Sequence, residues 1–152
     1  MLKEGDEAPD FTAKDQNGNQ LKLSDLRGTR TILYFYPKDD TPGCTKQACS
    51  LRDGFSTFTE KEIKILGVSM DDEQSHQKFI SKYELPFTLL TDTDHSIADV
   101  YHSYGDKQYM GKTYQGVLRK TFLIDETGKI KKIFDKVKVD EHADEVLRAF
   151  DE

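Results

Sequence analysis

Residues 31–49 read TILYFYPKDDTPGCTKQAC, and the fold turns on how this stretch is divided. Thr31 to Tyr36 is a β-branched and aromatic run of buried-strand length. Tyr34 and Tyr36 flank Phe35, so strand alternation puts Phe35 on the opposite sheet face, and core packing is the expectation for all three. A loop holding Pro42 and Gly43 follows. A helix is expected from Thr41 to about Glu60, with Pro42 suited to its first turn.

The same alternation continues outward. Ile63 to Ser69 reads as the next strand. Asp71, Asp72, Glu73 and Gln74 open a helix that runs to Tyr83 and is stopped by Pro86. Thr88 to Leu90 is a short strand, and Asp94 starts a helix through Tyr101. Residues 101–116 are rich in Gly and Tyr without a period, and are expected to be loop. Arg119 to Ile124 and Lys129 to Phe134 flank Asp125-Glu126-Thr127-Gly128 as a hairpin. Asp140 or Glu141 begins a last helix with Ala143, Val146, Leu147 and Phe150 on one face. Upstream, residues 11–13 and 20–23 flank Asn17-Gly18, a second hairpin signal. Strands alternating with helices imply an α/β sheet covered on both faces. The βαβ unit followed by ββα is the thioredoxin-like arrangement. The expected fold is one α/β domain over 1–152: an N-terminal β-hairpin extension on a central mixed sheet flanked by helices.

Composition narrows the function classes. The chain has 152 residues, 33% of them charged, and a formal net charge of −6. Binding nucleic acid through bulk positive charge is excluded. No apolar run approaches the ~18 residues of a membrane span. Residues 1–6 lack the apolar core and cleavage site of a signal peptide, so the cytoplasm is the expected location. The lysines of residues 129–138 read as solvation and protection of an edge strand.

The chain's two cysteines, Cys44 and Cys49, both lie in the opening stretch. In a reducing compartment such a pair is a redox, catalytic or metal pair rather than a permanent staple. Cys44 falls in the first turn of the expected helix. Unpaired N–H groups and the positive end of the helix dipole favour a thiolate there over a thiol. An inert, packed Cys44 is the competing reading. Arg119, taken alone, reads as a strand-edge surface cation, and Thr41 as a helix N-cap.

Pro37, Thr41 and Cys44 match the Pro-x-x-x-Thr/Ser-x-x-Cys motif of the peroxiredoxins, thiol peroxidases built on a thioredoxin-like fold. The string YFYPKDDTPGCTKQACSLRD resembles the active-site segment of the bacterioferritin-comigratory (Q-type) group. APDF at residues 8–11 and RKTFLID at 119–125 resemble two further stretches of that family, at the right separations. One segment departs from it: His102-Ser103-Tyr104-Gly105 stands where many relatives carry a Trp. The resemblance implies that Cys44 is the peroxidatic cysteine and Cys49 the resolving cysteine, pairing as an intramolecular disulfide after oxidation. It implies that Thr41 and Arg119 bond the thiolate and the peroxide, that Pro37 shields the sulfur, and that the Gly43 and Cys44 N–H groups bind peroxide oxygens. The implied partners are a peroxide and thioredoxin or a similar dithiol. No metal or organic cofactor is needed, because fixed donors stabilise the charge of the leaving oxygen. Both cysteines would act within one subunit, so a monomer suffices.

Other chemistries stay in view. A thiol–disulfide oxidoreductase normally carries Cys-x-x-Cys, whereas the spacer here is four residues. None of His76, His95, His102 and His142 has zinc-ligand spacing to the cysteines, and each is expected on the surface. A redox-switched interaction protein would react with peroxide once and stop.

Overall fold

The computed structural model describes residues 1–151. Strand β3 (Arg30–Phe35) is its axis. It pairs in parallel with β4 (Ile63–Ser69), matching Ile32 with Ile65 and Tyr34 with Gly67. On its other side it pairs antiparallel with β8 (Lys120–Ile124), matching Phe35 with Lys120. Sheet order is β2-β1-β5-β4-β3-β8-β9, where β1 is Thr12–Lys14, β2 is Gln20–Lys22, β5 is Thr88–Thr91 and β9 is Ile130–Phe134. The sheet is mixed and seven-stranded, and the N-terminal hairpin joins it through the Lys14–Thr91 pair.

Alternation along β3 divides the core in two. Ile32, Tyr34 and Tyr36 face one layer with Leu51, Phe58, Phe79, Val146 and Phe150. Leu33 and Phe35 face the other, with Leu66, Val68, Leu90, Tyr101 and Phe122. The first layer is built by α1 (Pro42–Asp53), α2 (Phe55–Glu60), α3 (Glu73–Tyr83) and α5 (His142–Asp151). The second is covered by α4 (Ser96–Val100) and the N-terminal segment. Among the described residues, no helix is long and apolar enough to cross a membrane.

Three expectations need correction. The helix expected over 41–60 is broken at Gly54, between α1 and α2. A Cβ at Gly54 would lie 3.0 Å from Ala143 Cβ and 3.3 Å from Phe58 Cε2, so α5 passes too close for any larger residue. The expected loop over 101–116 contains a β-hairpin, β6 (Tyr104–Tyr109) and β7 (Lys112–Val117). Its turn, Met110-Gly111, has positive φ at both residues (52° and 78°), the geometry whose twist suits a tight hairpin. Finally, His76 and His142 are not on the surface: both have 0% exposure.

Gly67 makes room for the core around β3. A Cβ there would sit 2.7 Å from Leu89 Cδ2 and 2.9 Å from Tyr34 Cζ. Tyr34 is 1% exposed and its ring is stacked on Tyr36, centroids 5.4 Å apart, so it has nowhere to retreat. Gly67→Ala is expected to cost about 1–3 kcal/mol by overpacking. The thermal midpoint should fall by several degrees, at about 2–4 °C per kcal/mol for a chain of this size. An unchanged midpoint in calorimetry would contradict this packing.

Candidate active site

Where β3 ends, the chain must turn and start α1. Tyr36 still donates its N–H to Val68 O (3.1 Å), but Pro37 has no N–H to continue the ladder. Asp40 takes a left-handed conformation, φ 56°, and turns the chain. Thr41 is extended, in the N-cap position, and its carbonyl accepts the first helical bond from Thr45 N (2.8 Å). The Gly43 and Cys44 N–H groups lie ahead of that bond and have no acceptor within the helix. Cys44 therefore stands in the first turn, buried at 2% exposure, with free donors beside it.

The register of β8 brings the cation. Because Lys120 pairs with Phe35, Arg119 lies one residue further, beside the exit of β3. Its Nη2 donates to Cys44 Sγ at 3.4 Å, and its Nη1 donates to Gln47 Oε1 at 2.7 Å. Gln47 is 0% exposed and fixes the fork of the guanidinium from one helical turn beyond Cys44. Gly43 clears the path: a Cβ there would come within 3.1 Å of Arg119 Nη2.

The remaining residues singled out from sequence fall around this pair. Pro37 is half-buried at the mouth of the loop. Thr41 is at the N-cap, yet its hydroxyl does not cap; it donates to Lys38 O at 2.8 Å. In this state Arg119 touches the sulfur, while the Thr41 oxygen keeps lone pairs with which to accept a bond. Cys49 is half-buried further along α1, and both cysteines are free thiols. His95 and His102 lie apart: His95 bonds Asp99 and stacks on Tyr104, and His102 is exposed.

Three features were not anticipated. Gln47 was readable only as a residue spaced to share a helix face with Cys44. Lys107, on β6, lies within electrostatic reach of Arg119 and Cys44, and donates to Val117 O at 2.8 Å. Burial, and next the Arg119 charge, push its ammonium pKa below the usual value, while Cys44 opposes that shift. The third is a pair of carboxylates that pin the loop ahead of Cys44. Asp39 accepts from Tyr36 Oη (2.5 Å) and Ser75 Oγ (2.8 Å), and its Oδ2 lies 2.7 Å from His76 Nδ1. Asp40 accepts from Lys82 Nζ and Tyr83 Oη, each at 2.8 Å, which holds its carboxyl below the usual carboxylate range. Tyr34 packs in the same core cluster as Cys44, and burial first, then the Cys44 and Asp39 charges, push its phenol well above the usual value.

The AhpC/TSA family model matches residues 4–133. A putative peroxiredoxin Bcp of Coxiella burnetii is 49% identical over 146 residues, covering 96% of this chain and 97% of that protein. Peroxiredoxin Bcp of Escherichia coli is 47% identical over 146 residues, covering 96% and 94%. The solved structure of a cysteine-to-serine variant of Xylella fastidiosa PrxQ superposes with a TM-score of 0.93 at 30% identity, covering 99% of this chain and 96% of that one. The family's thioredoxin-like architecture is the one described above. The chain therefore belongs to the AhpC/TSA family, among its Bcp and PrxQ peroxiredoxins, and is a thiol peroxidase that uses a peroxide as oxidant and a thiol as reductant.

Proposed function

We propose that Cys44 is the peroxidatic nucleophile, that Cys49 resolves it, and that thioredoxin or a similar dithiol closes the cycle in the cytoplasm, with a monomer sufficient for all three steps. The observation that carries this reading is the Arg119 Nη2 contact with Cys44 Sγ, 3.4 Å, at the start of α1. A guanidinium and a helix N-terminus both favour the thiolate and both aim at the place where charge develops.

The Cys44 thiolate attacks the outer oxygen of the hydroperoxide. An S–O bond forms as the O–O bond breaks, and the departing oxygen takes a proton to leave as water or an alcohol. Arg119 and the Gly43 and Cys44 N–H groups stabilise the charge on the breaking bond, the Thr41 oxygen accepts from the peroxide O–H, and Pro37 keeps water from the sulfur. Cys44 is left as a sulfenic acid. The Cys49 thiolate then attacks that sulfur, an S–S bond forms, and hydroxide leaves as water before a second peroxide can drive irreversible oxidation. Two thiol exchanges with the dithiol return both cysteines to thiols and oxidise the donor.

Geometry forbids the second step in the closed state. Residues five apart in a helix are separated by about 7.5 Å of rise and about 140° of rotation, so their Cα atoms lie roughly 8.7 Å apart. A disulfide requires about 7 Å or less with converging side chains. Part of α1 must open. Its far end is anchored, because Arg52 Nη1 donates to Tyr83 O (2.8 Å) and Ser50 Oγ accepts from Ala143 N (3.0 Å). Opening therefore falls on the first two turns, residues 42–49.

Cys44→Ser should abolish peroxide consumption. Cys49→Ser should consume one peroxide per chain, leave a trappable sulfenic acid, and fail to turn over with thioredoxin and its reductase. Normal turnover by Cys44→Ser would sink the assignment. Arg119→Ala should slow the peroxide step by about 10²–10³, the usual cost of removing one preorganised donor; an unchanged rate would return Arg119 to the status of a surface cation. One equivalent of peroxide should speed amide exchange between Thr41 and Asp53 in the wild type and not in Cys49→Ser. Unaltered exchange in an oxidised wild type would mean that α1 stays closed.

A further inference from the structure

The loop between β3 and α1 has little apolar surface with which to hold itself. Lys38, Asp40 and Pro42 are exposed. Besides the exposed Asp40 bonds to Lys82 and Tyr83, what fixes it is Asp39, which is 7% exposed and reaches into the protein. Its carboxylate accepts from Tyr36 Oη, Ser75 Oγ and His76 Nδ1, the last at 2.7 Å. Its own N–H donates to Asp71 Oδ2 (2.8 Å), which also accepts from Ser69 Oγ (2.7 Å). His76 is 0% exposed, and its Nε2 lies 2.9 Å from Leu90 O. A carbonyl oxygen can only accept, so Nε2 carries a proton. An ionised carboxylate can only accept as well, so Nδ1 carries one too. Burial disfavours the imidazolium, but the Asp39 bond and charge outweigh it and raise the His76 pKa.

A buried ion pair is a costly way to fill space, because apolar residues of the same volume are often at least as stabilising. What the pair offers instead is direction: with Ser75 it ties the loop to the start of α3 inside the protein, whereas the Asp40 bonds to Lys82 and Tyr83 lie at the surface. Downstream, Arg52 joins α1 to the other end of α3 through Tyr83 O. The two attachments bracket residues 42–49, the segment that must open.

We propose that His76 and Asp39 are positioning residues for the peroxidase reaction: the pair clamps the loop ahead of Cys44, so that Thr41, Gly43 and Cys44 stay in the peroxide-competent arrangement and α1 opens only from a defined hinge. The inference rests on the assignment of Cys44 and Cys49 above. Weakening the clamp has opposite effects on the two chemical steps. The closed site is held less well, so attack on peroxide slows. The open form is reached more readily, so the disulfide forms faster and less sulfenic acid is lost to a second peroxide. Loss of one charge-assisted hydrogen bond shifts such an opening equilibrium by about tenfold.

The chain contains no tryptophan, so rates are best read by acid quench and mass spectrometry. Sulfenic acid would be trapped with dimedone, and the disulfide counted from its mass. Asp39→Asn and His76→Leu should form sulfenic acid several-fold more slowly than wild type. They should form the Cys44–Cys49 disulfide up to about tenfold faster, and need more peroxide for overoxidation. His76→Asn, which keeps a donor toward Asp39, should lie closer to wild type than His76→Leu. If His76→Leu does not fold, the near-isosteric Asp39→Asn decides the question. Both steps unchanged in Asp39→Asn, or both slowed together, would overturn the inference. The wild-type control separates this from the reading beneath it. A wild type that forms no Cys44–Cys49 disulfide overturns the proposed function and the inference with it; a wild type that does, beside variants with unaltered rates, overturns the inference alone.

Discussion

The proposed chemistry depends on one contact, the one that Arg119 Nη2 makes with Cys44 Sγ. The surrounding architecture can be derived from keeping that contact. The guanidinium must come from a strand that ends beside the exit of β3, which the antiparallel β3–β8 register supplies. The sulfur must come from the first turn of the helix that leaves β3, which the Pro37–Thr41 turn supplies. Gln47 holds the far side of the guanidinium, and Gly43 has no side chain to stand between the two. Neither residue is chemically reactive. Both are there because a charged fork loses its directional value when it can swing.

The proposed roles of Cys44 and Cys49 set a conflict around the same contact. A site that holds sulfur and guanidinium well is one in which Cys44 and Cys49 cannot meet. Anchoring is accordingly uneven along α1. Leu51 is fully buried, and Ser50 and Arg52 bond to α5 and α3, so the last turns are fixed from two sides. The first turns are fixed by Arg119, by Gln47, by the polar bonds of the preceding loop and by the burial of Cys44 and Ala48. Polar bonds at a helix start break at lower free energy than a packed core does. The two ends thus differ in what they are tied to: the last turns bond to α3 and α5, the first turns to Arg119.

Much of this was legible in the sequence, for a physical reason. The strand TILYFY and the helix after it carry their own periods, and a buried strand with two packed faces leaves a dense apolar signature. The resemblance carried by residues 37–44 and 119–125 then implied which groups react, and the structure brings Arg119 and Cys44 of that set into contact. What escaped were structures whose reasons lie far along the chain. The hairpin of residues 104–117 has no inward face along most of its length, with Tyr109 and Met110 exposed, so it shows no alternation, and its Met-Gly turn lacks the usual Asn or Asp. Gly54 breaks a helix because Ala143 approaches it, from 89 residues away by number. His76 and His142 are buried because Asp39 and Leu90, and Glu145 and Thr121, pair with their ring nitrogens. A lone polar residue on a helix gives no hint of such partners, and solvent exposure is then the natural, mistaken expectation.

The register that delivers Arg119 has a consequence for how the chain acquires its reactivity. Cys44 and Arg119 are 75 residues apart. During synthesis the β3–α1 unit, and the parallel β4 that pairs with it, are complete while β8 has not yet been made. With Cys44 in its proposed role, the nascent chain carries that thiol without the guanidinium that faces it in the complete fold. The contact forms only when the antiparallel β8 closes against β3, a long-range pairing of the kind that forms slowly. The topology thereby makes the proposed reactive pair conditional on completion of the fold. A copy in which β8 does not close against β3 would keep both thiols but not the guanidinium beside Cys44.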